Sequence, residues 1–394
     1  MTPVPLDLPL RPAEASQLAS LILDHAERKP LTAEIRNRIA ARGAALHLET
    51  ITPYFGSLER DPVHPSAYYL AVDGAQLEPL LLHLALATAP TSSIFYKPLL
   101  IGRTRRANGP EIVVNAVPFG ASDRENLAKF AAQIDHAFLP RPQGSRTAIA
   151  VGFVDPQAGL PAAFAAFRGI LKRTGKNLAA ICVPNEAAGA DIYHAGLWAA
   201  IRAGWREGYS ATVSIPVAAD SLETAREAIR QSAAFSTFRI DAALLFQEHG
   251  DLPARFEKAL TATAQLHETI RQSRSALQTG RAFDLELALD GAPRSTTPQE
   301  LDYCLQWLRA CGHAPQLAAP NLGAGDEPAG DLEELAAAAR QHQCVLSVRG
   351  RAAYGPHILE RIARATAGRV HYTVESPLAG QPGYIDFLAA QLIG

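Results

Sequence analysis

From residue 147 onward, short apolar or β-branched runs alternate with longer alanine-rich stretches whose apolar positions recur at helical spacing. The predicted strands are "TAIAVGF" (147–153), "LAAICV" (178–183), "SATVSIPV" (210–217), "STFRID" (236–241), "FDLELAL" (283–289), "APQLAA" (314–319), "QCVLSV" (343–348) and "RVHYTV" (369–374). Predicted helices fill the intervals. "LPAAFAAFRGILKRTG" stops on Gly175, a glycine C-cap, and "SLETAREAIRQSA" starts from Ser221. "TPQELDYCLQWLRACG" carries Thr297 as N-cap, Pro298 at the first helical position and Glu300 three residues after the cap, a capping box.

Strict alternation of strand and helix predicts a parallel sheet. Eight repeats in about 250 residues match the size of a (β/α)8 barrel. The predicted fold is α/β: a (β/α)8 TIM barrel over residues 146–394, preceded by a smaller N-terminal α/β domain, more closely an α+β domain, over residues 1–145. An open doubly wound sheet is the structural alternative. The count of eight and the last short helix, "GYIDFLAAQLIG", favour closure.

The first 145 residues have a different pattern. "EASQLASLILDHAER" and "TAEIRNRIAARGAALHLE" have helical spacing. "PLLIGRTRRANGPEIVVNAVPF" predicts two strands joined around Asn108-Gly109. "SDRENLAKFAAQIDHAF" predicts a helix capped by Ser122, with Glu125 three residues later. The segment "LPRPQGSR" (139–146), rich in Pro and Gly, predicts a linker between the domains.

Composition narrows the function classes. Hydrophobic residues make up 48% and charged residues 19%, enough for a sizeable core. The formal net charge of −2 gives no general attraction to nucleic acid or anionic membrane. "GRTRR" (102–106) is a local basic cluster without interleaved aromatic residues, the pattern of a solvated hairpin end. The N-terminus lacks the basic and apolar regions of a signal peptide, and the apolar runs are too interrupted to span a bilayer, so a cytoplasmic location is expected. Cys182, Cys304, Cys311 and Cys344 form no CxxC pair and are read as small apolar residues. Trp198 and Trp205 are read as packing residues of one helix face. Nothing in the pattern sets an oligomeric state.

A barrel of this kind places its chemistry at the C-terminal ends of its strands. The strand exits carry Asp155, Asn185 with Glu186, Ser214, Asp241, Asp290 with Arg294 nearby, Asn321, Arg349 with Arg351, and Glu375. No histidine stands at any exit, and His371, inside the last strand, is read as a core residue. No cofactor is therefore expected, with an all-oxygen divalent metal site as the alternative. Asp155, Asp241, Asp290 and Glu375 are the candidate catalytic carboxylates. Arg294, Arg349, Arg351, Asn185 and Asn321 are the candidate ligand-binding residues, because guanidinium groups bind carboxylate or phosphate through paired hydrogen bonds. The competing reading has these arginines bridged to Asp290 and Glu375. No GxGxxG after a strand, Walker loop or GxSxG is present.

"FDLELALDGAPRSTTPQELDYCLQWLRACGHAPQLAAPNLG" (283–323), "WREGYSATVSIPVAADSLETAREAI", "CVLSVRGRAAYG" and "GRVHYTVES" follow one another at the spacing of a known family. In these stretches, and in "ENLAKFAAQID" before the barrel, the chain resembles the tagaturonate/fructuronate epimerases, metal-dependent sugar-acid epimerases with a barrel fold. The likeness covers roughly residues 110 to 390 and contains no long shared motif. It implies an Asp-His pair after the third strand, where this chain has Ser214 and Ile215. It implies an Asp-Glu pair after the fifth, where Asp290 remains and Gly291 follows. It implies a histidine ending the seventh strand and an Asp-Lys pair in the next loop, where Val348, Ala352 and Ala353 stand. Epimerisation beside a carbonyl needs a base and a group that stabilises the developing negative charge. With those positions replaced, metal-assisted epimerisation by that route is not expected.

Three functions remain. One is a divergent sugar-acid epimerase-like barrel that binds a small anionic carbohydrate-like ligand without the family's metal site and without catalysis. Another is an active isomerase, epimerase or lyase using the strand-end carboxylates with an arginine clamp. The last is a non-catalytic assembly subunit.

Overall fold

The computed structural model of the chain describes residues 10–26, 30–87, 94–95, 99–105, 110–152, 159–175, 179–183, 192–277, 282–323, 331–350, 354–374, 381 and 383–393. Asp155, Asn185, Glu186, Arg351 and Glu375 lie outside these residues. The chain divides into two compact units, one of residues 1–139 with 197–206 and one of residues 140–196 with 207–394.

In the first unit, α1 (Pro12–Ala26) and α2 (Ala33–Gly43) precede β1 (Thr52–Pro53), β2 (Glu59–Arg60), β3 (Tyr68–Asp73), β4 (Pro79–Leu86), β5 (Leu99–Arg105) and β6 (Glu111–Pro118). The antiparallel sheet runs β1-β3-β4-β6-β5, with β2 on β3. Apolar side chains of α1 (Leu18, Ile22) pack with Leu70, Leu82 and Val114 of the sheet into one core. β5 and β6 pair as their sequence predicts, with a bulge between Leu100 and Gly102. α3 (Arg124–Lys129) runs on into a π-helical stretch, Phe130–Ile134, and its cap is Asp123, not Ser122. Asp123 accepts the Asn126 N–H at 3.3 Å. Trp198 packs edge-on against Tyr54 and Phe119, at 5.8 and 5.6 Å between ring centroids. Arg206 donates to Asp135 and to Glu59, both at 2.7 Å.

The second unit is the barrel. Its strands are β7 (Ala148–Gly152), β8 (Ala179–Val183), β9 (Tyr209–Pro216), β10 (Thr237–Asp241), β11 (Asp284–Ala288), β12 (Leu317–Ala319), β13 (Val345–Gly350) and β14 (Val370–Val374). They close in the circuit β10-β11-β12-β13-β14-β7-β8-β9, every pairing parallel. The open-sheet alternative is thereby set aside. α4 (Gly159–Thr174), α5 (Ile192–Ala203), α6 (Leu222–Gln231), α7 (Leu252–Ser275), α8 (Pro298–Ala310), α9 (Leu332–Gln341), α10 (Pro356–Thr366) and α11 (Tyr384–Ile393) follow the strands in turn. α5 ends at Ala203, so Trp205 lies beyond the helix that was predicted to carry both tryptophans.

The local signals act as their chemistry requires. Thr297 and Glu300 form the capping box of α8 in both directions, at 3.3 and 3.0 Å. Gly175 closes α4 in the left-handed region, φ +67°. Ser221 is the N-cap of α6 as expected, but its hydroxyl accepts the Ala218 N–H at 2.7 Å and makes no bond into the helix. Cys304 and Cys344 are buried thiols, and burial pushes both above the ordinary thiol range. No helix among the described residues is long and apolar enough to cross a membrane.

The segment read as a linker, where the division between the two units falls, also closes the N-terminal end of the barrel. Gln143 and Gly144 donate their backbone N–H groups to Asp284 Oδ2 on β11, at 2.7 and 2.8 Å. Arg141 N–H donates to the Tyr209 carbonyl at the start of β9, at 2.8 Å. His371 on β14 donates through Nε2 to the Arg146 carbonyl at 2.9 Å. Asp284 and His371 are buried polar groups, and the segment supplies the partners that burial obliges them to have.

Candidate functional site at the strand-end face

Side chains alternate across a strand, so Thr237, Arg239 and Asp241 of β10 share one face, as do Asp284 and Glu286 of β11 and Ser347 and Arg349 of β13. Phe238 faces the other way and meets Phe283 edge-on at 5.9 Å. The register sets Arg239 beside Glu286 and beside Ser214 of β9.

These alternate positions build an ionic cluster. Arg239, 3% exposed, donates Nη2 to Asp290 just beyond β11, and its Nε lies 3.6 Å from Glu286 Oε1. Arg349 Nε lies 3.4 Å from the other oxygen of Asp290. β10 and β13 are separated by two strands in the circuit, so one carboxylate can take both guanidinium groups only by facing the barrel interior. Burial works against the Arg239 charge, but Asp290, Glu286 and Asp241 outweigh it and hold its pKa above the ordinary value. Burial raises the Glu286 pKa, against the pull of Arg239. Arg239 Nε and Nη1 and the hydroxyls of Ser210, Thr212 and Thr237 are buried with no hydrogen-bond partner among the described residues. Buried polar groups of this kind normally have a partner, which makes this interior the candidate site for a polar ligand.

The candidate residues from sequence separate into two places. Asp290 and Arg349 belong to the cluster, with Asp241 at its edge, where its Oδ1 accepts the Ala243 N–H at 3.2 Å. Arg294 stands apart from the Arg239–Asp290–Arg349 bridge. It pairs with Glu300, which also holds Arg255. Arg294 thus lines a cavity of about 590 Å³ between the loops after β10 and β11, with Phe246, Phe256 and Gly291. Asn321 has a structural role: it donates Nδ2 to the Ala292 carbonyl at 2.7 Å and accepts the Gly323 N–H at 2.7 Å. Arg239 and Glu286 were missed in the sequence because only strand exits were searched. Their signal was present as charged residues inside "TFRID" and "DLELA", at the spacing that faces the interior.

A divalent metal does not fit this cluster. Ser214, Ile215, Gly291 and Val348, at the strand ends around it, carry no carboxylate or imidazole. Asp290 is already taken by two guanidinium groups. A Cβ on Gly291 would come within 3.0 and 3.1 Å of the two Asp241 carboxylate oxygens, so a longer side chain there requires Asp241 to move. Among the described residues, the one grouping of three potential metal ligands is His267, Glu268 and His313, on and after the outer helices α7 and α8.

Comparison with known proteins gives a fold relationship. No protein-family model matches the sequence. No curated protein matches it. Among solved structures, the chain is similar to the glycerol-complexed fructuronate-tagaturonate epimerase UxaE from Cohnella laeviribosi, with 16% identity, 86% of this chain and 74% of that chain covered, and a TM-score of 0.61. The native structure of the same enzyme gives 15% identity, coverage of 86% and 75%, and a TM-score of 0.55. At this identity the likeness establishes a shared barrel fold.

Proposed function

We propose that the strand-end face binds a small polyhydroxylated acid of the sugar-acid class, without a metal. The observation that supports it is the buried Arg239, whose Nε and Nη1 have no hydrogen-bond partner among the described residues, beside the Asp290 that it shares with Arg349. Arg349 is about one-third exposed and is placed to receive a ligand carboxylate in the paired geometry that guanidinium favours. Glu286 and the hydroxyls of Thr212 and Thr237 offer acceptors and donors for sugar hydroxyls, each of which both donates and accepts. The shared fold with a sugar-acid epimerase and the local sequence resemblance support the ligand class. A distant relationship to that family, with its metal positions replaced, is part of this reading.

Proton transfer at the same site is the second reading. Glu286 favours it, because burial holds its carboxyl toward the protonated form next to a fixed cation. Asp290 is the described carboxylate that acts on it in the cluster.

The test is a thermal-shift screen of hexuronates and aldonates, with the corresponding neutral sugars as controls. Stabilisation by the acids but not by the neutral sugars is expected. A protein indifferent to every acid overturns the proposal and leaves a scaffold or assembly role.

A further inference from the structure

On the outside of the barrel, α7 and the turn after α8 bring two imidazoles together. His267 Nδ1 and His313 Nδ1 are 2.9 Å apart. Glu268 Oε1 lies 3.7 Å from His313 Nδ1 and 4.0 Å from His267 Nδ1. The side chains of His267 and His313 are 17% and 14% exposed, which limits their rotamers while leaving one side open. Arg271 holds the other Glu268 oxygen, Nε to Oε2 at 2.9 Å and Nη2 at 2.5 Å, and so turns Oε1 toward the histidines. The Phe283 ring, 5.1 Å from His267, backs the imidazole.

We propose that His267, His313 and Glu268 form a binding site for a divalent cation of the zinc class, separate from the strand-end face. Two imidazole nitrogens and one carboxylate oxygen are a zinc donor set, with bonds of about 2.0–2.2 Å and a fourth position open to water. Tetrahedral bonds of that length place donor atoms about 3.3 Å apart. The three donors reach that spacing by movements of a few tenths of an ångström, the carboxylate moving most. Imidazole donors select zinc-like ions over Mg²⁺ and Ca²⁺, which take oxygen. Arg271 fixes the carboxylate from behind, as outer partners of metal ligands do. The bound ion would clip the C-terminal half of α7 to the α8–β12 turn. Without an ion, the two rings share one proton in an Nδ1–H···Nδ1 bond.

The experiment adds Zn²⁺, Co²⁺ or Mg²⁺ to the metal-stripped full-length protein. One equivalent of Co²⁺ is expected to give the visible absorption of a four- or five-coordinate ion. Zn²⁺ is expected to displace it and raise the melting temperature, and Mg²⁺ to do neither. His267→Gln and His313→Gln should each abolish the cobalt band. Glu268→Gln, at a partly exposed position that leaves the fold intact, should weaken binding. Absence of the band and of Zn²⁺-dependent stabilisation in the wild-type protein overturns the proposal, leaving a hydrogen-bonded pair. Undiminished binding in all three variants overturns it equally.

Discussion

Arg349 Nε and Asp290 Oδ2 stand 3.4 Å apart at the mouth of the barrel, and Asp290 holds the buried Arg239 with its other oxygen. One carboxylate thus joins an interior cation to a partly exposed one. On the proposed function, a ligand carboxylate binding Arg349 would compete with Asp290, and the strength of this bridge would set the affinity. Asp290→Asn is expected to weaken the bridge and tighten sugar-acid binding relative to wild type, as measured by calorimetric titration.

Arg239 is the energetic centre of the cluster. Arg239→Met strips Glu286 of its cation in the interior. Breaking a buried pair this way costs about 3–5 kcal/mol. Replacing both members restores an apolar match, so Arg239→Met with Glu286→Met should cost less than the sum of the single changes. Urea unfolding of the three variants measures this coupling.

The closure of the N-terminal end depends on Asp284. Asp284→Ala leaves the Gln143 and Gly144 N–H groups without their acceptor. At about 1–3 kcal/mol for each buried donor, less what is regained by removing a buried carboxyl, a loss of roughly 2–4 kcal/mol is expected. Hydrogen exchange should quicken at residues 143–144 and leave the opposite end unchanged.

His371 makes stability depend on pH. Burial depresses its pKa to about 4 from the ordinary 6.5. The folded state favours the neutral ring, so the unfolded chain takes up the proton first as pH falls. The contribution is complete above about pH 6.5 and is lost between that pH and about 4, amounting to roughly 3 kcal/mol. Glu286, with its raised pKa, works in the opposite sense. The test is therefore the difference between wild type and His371→Gln, which should shrink steadily from pH 7 to pH 4.

The barrel was legible because a parallel strand covered on both faces is largely apolar, and each of the eight runs predicted from residue 147 onward overlaps an observed strand. Thr297, Pro298 and Glu300 were legible because a cap is local chemistry. Ser122 was misread because Asp123 caps equally well one residue later, and only the chain's turn decides between them. Segment 139–146 was read as a linker because its Pro and Gly signal irregular backbone. That its N–H groups satisfy Asp284 depends on a partner about 140 positions away. The cluster was half legible. Asp290 and Arg349 stand at strand exits, whereas Arg239 and Glu286 sit inside strands, where apolar residues are the rule. The pairing of Arg294 with Glu300 was not legible because the loop geometry after β11 decides it.

Calorimetric titration of a hexuronate into wild-type protein and into Arg349→Ala tests the central claim most directly. The account predicts saturable binding with a stoichiometry of one, lost in Arg349→Ala while the variant's fold is retained. Binding of equal strength in both proteins, or heat in neither, would contradict it.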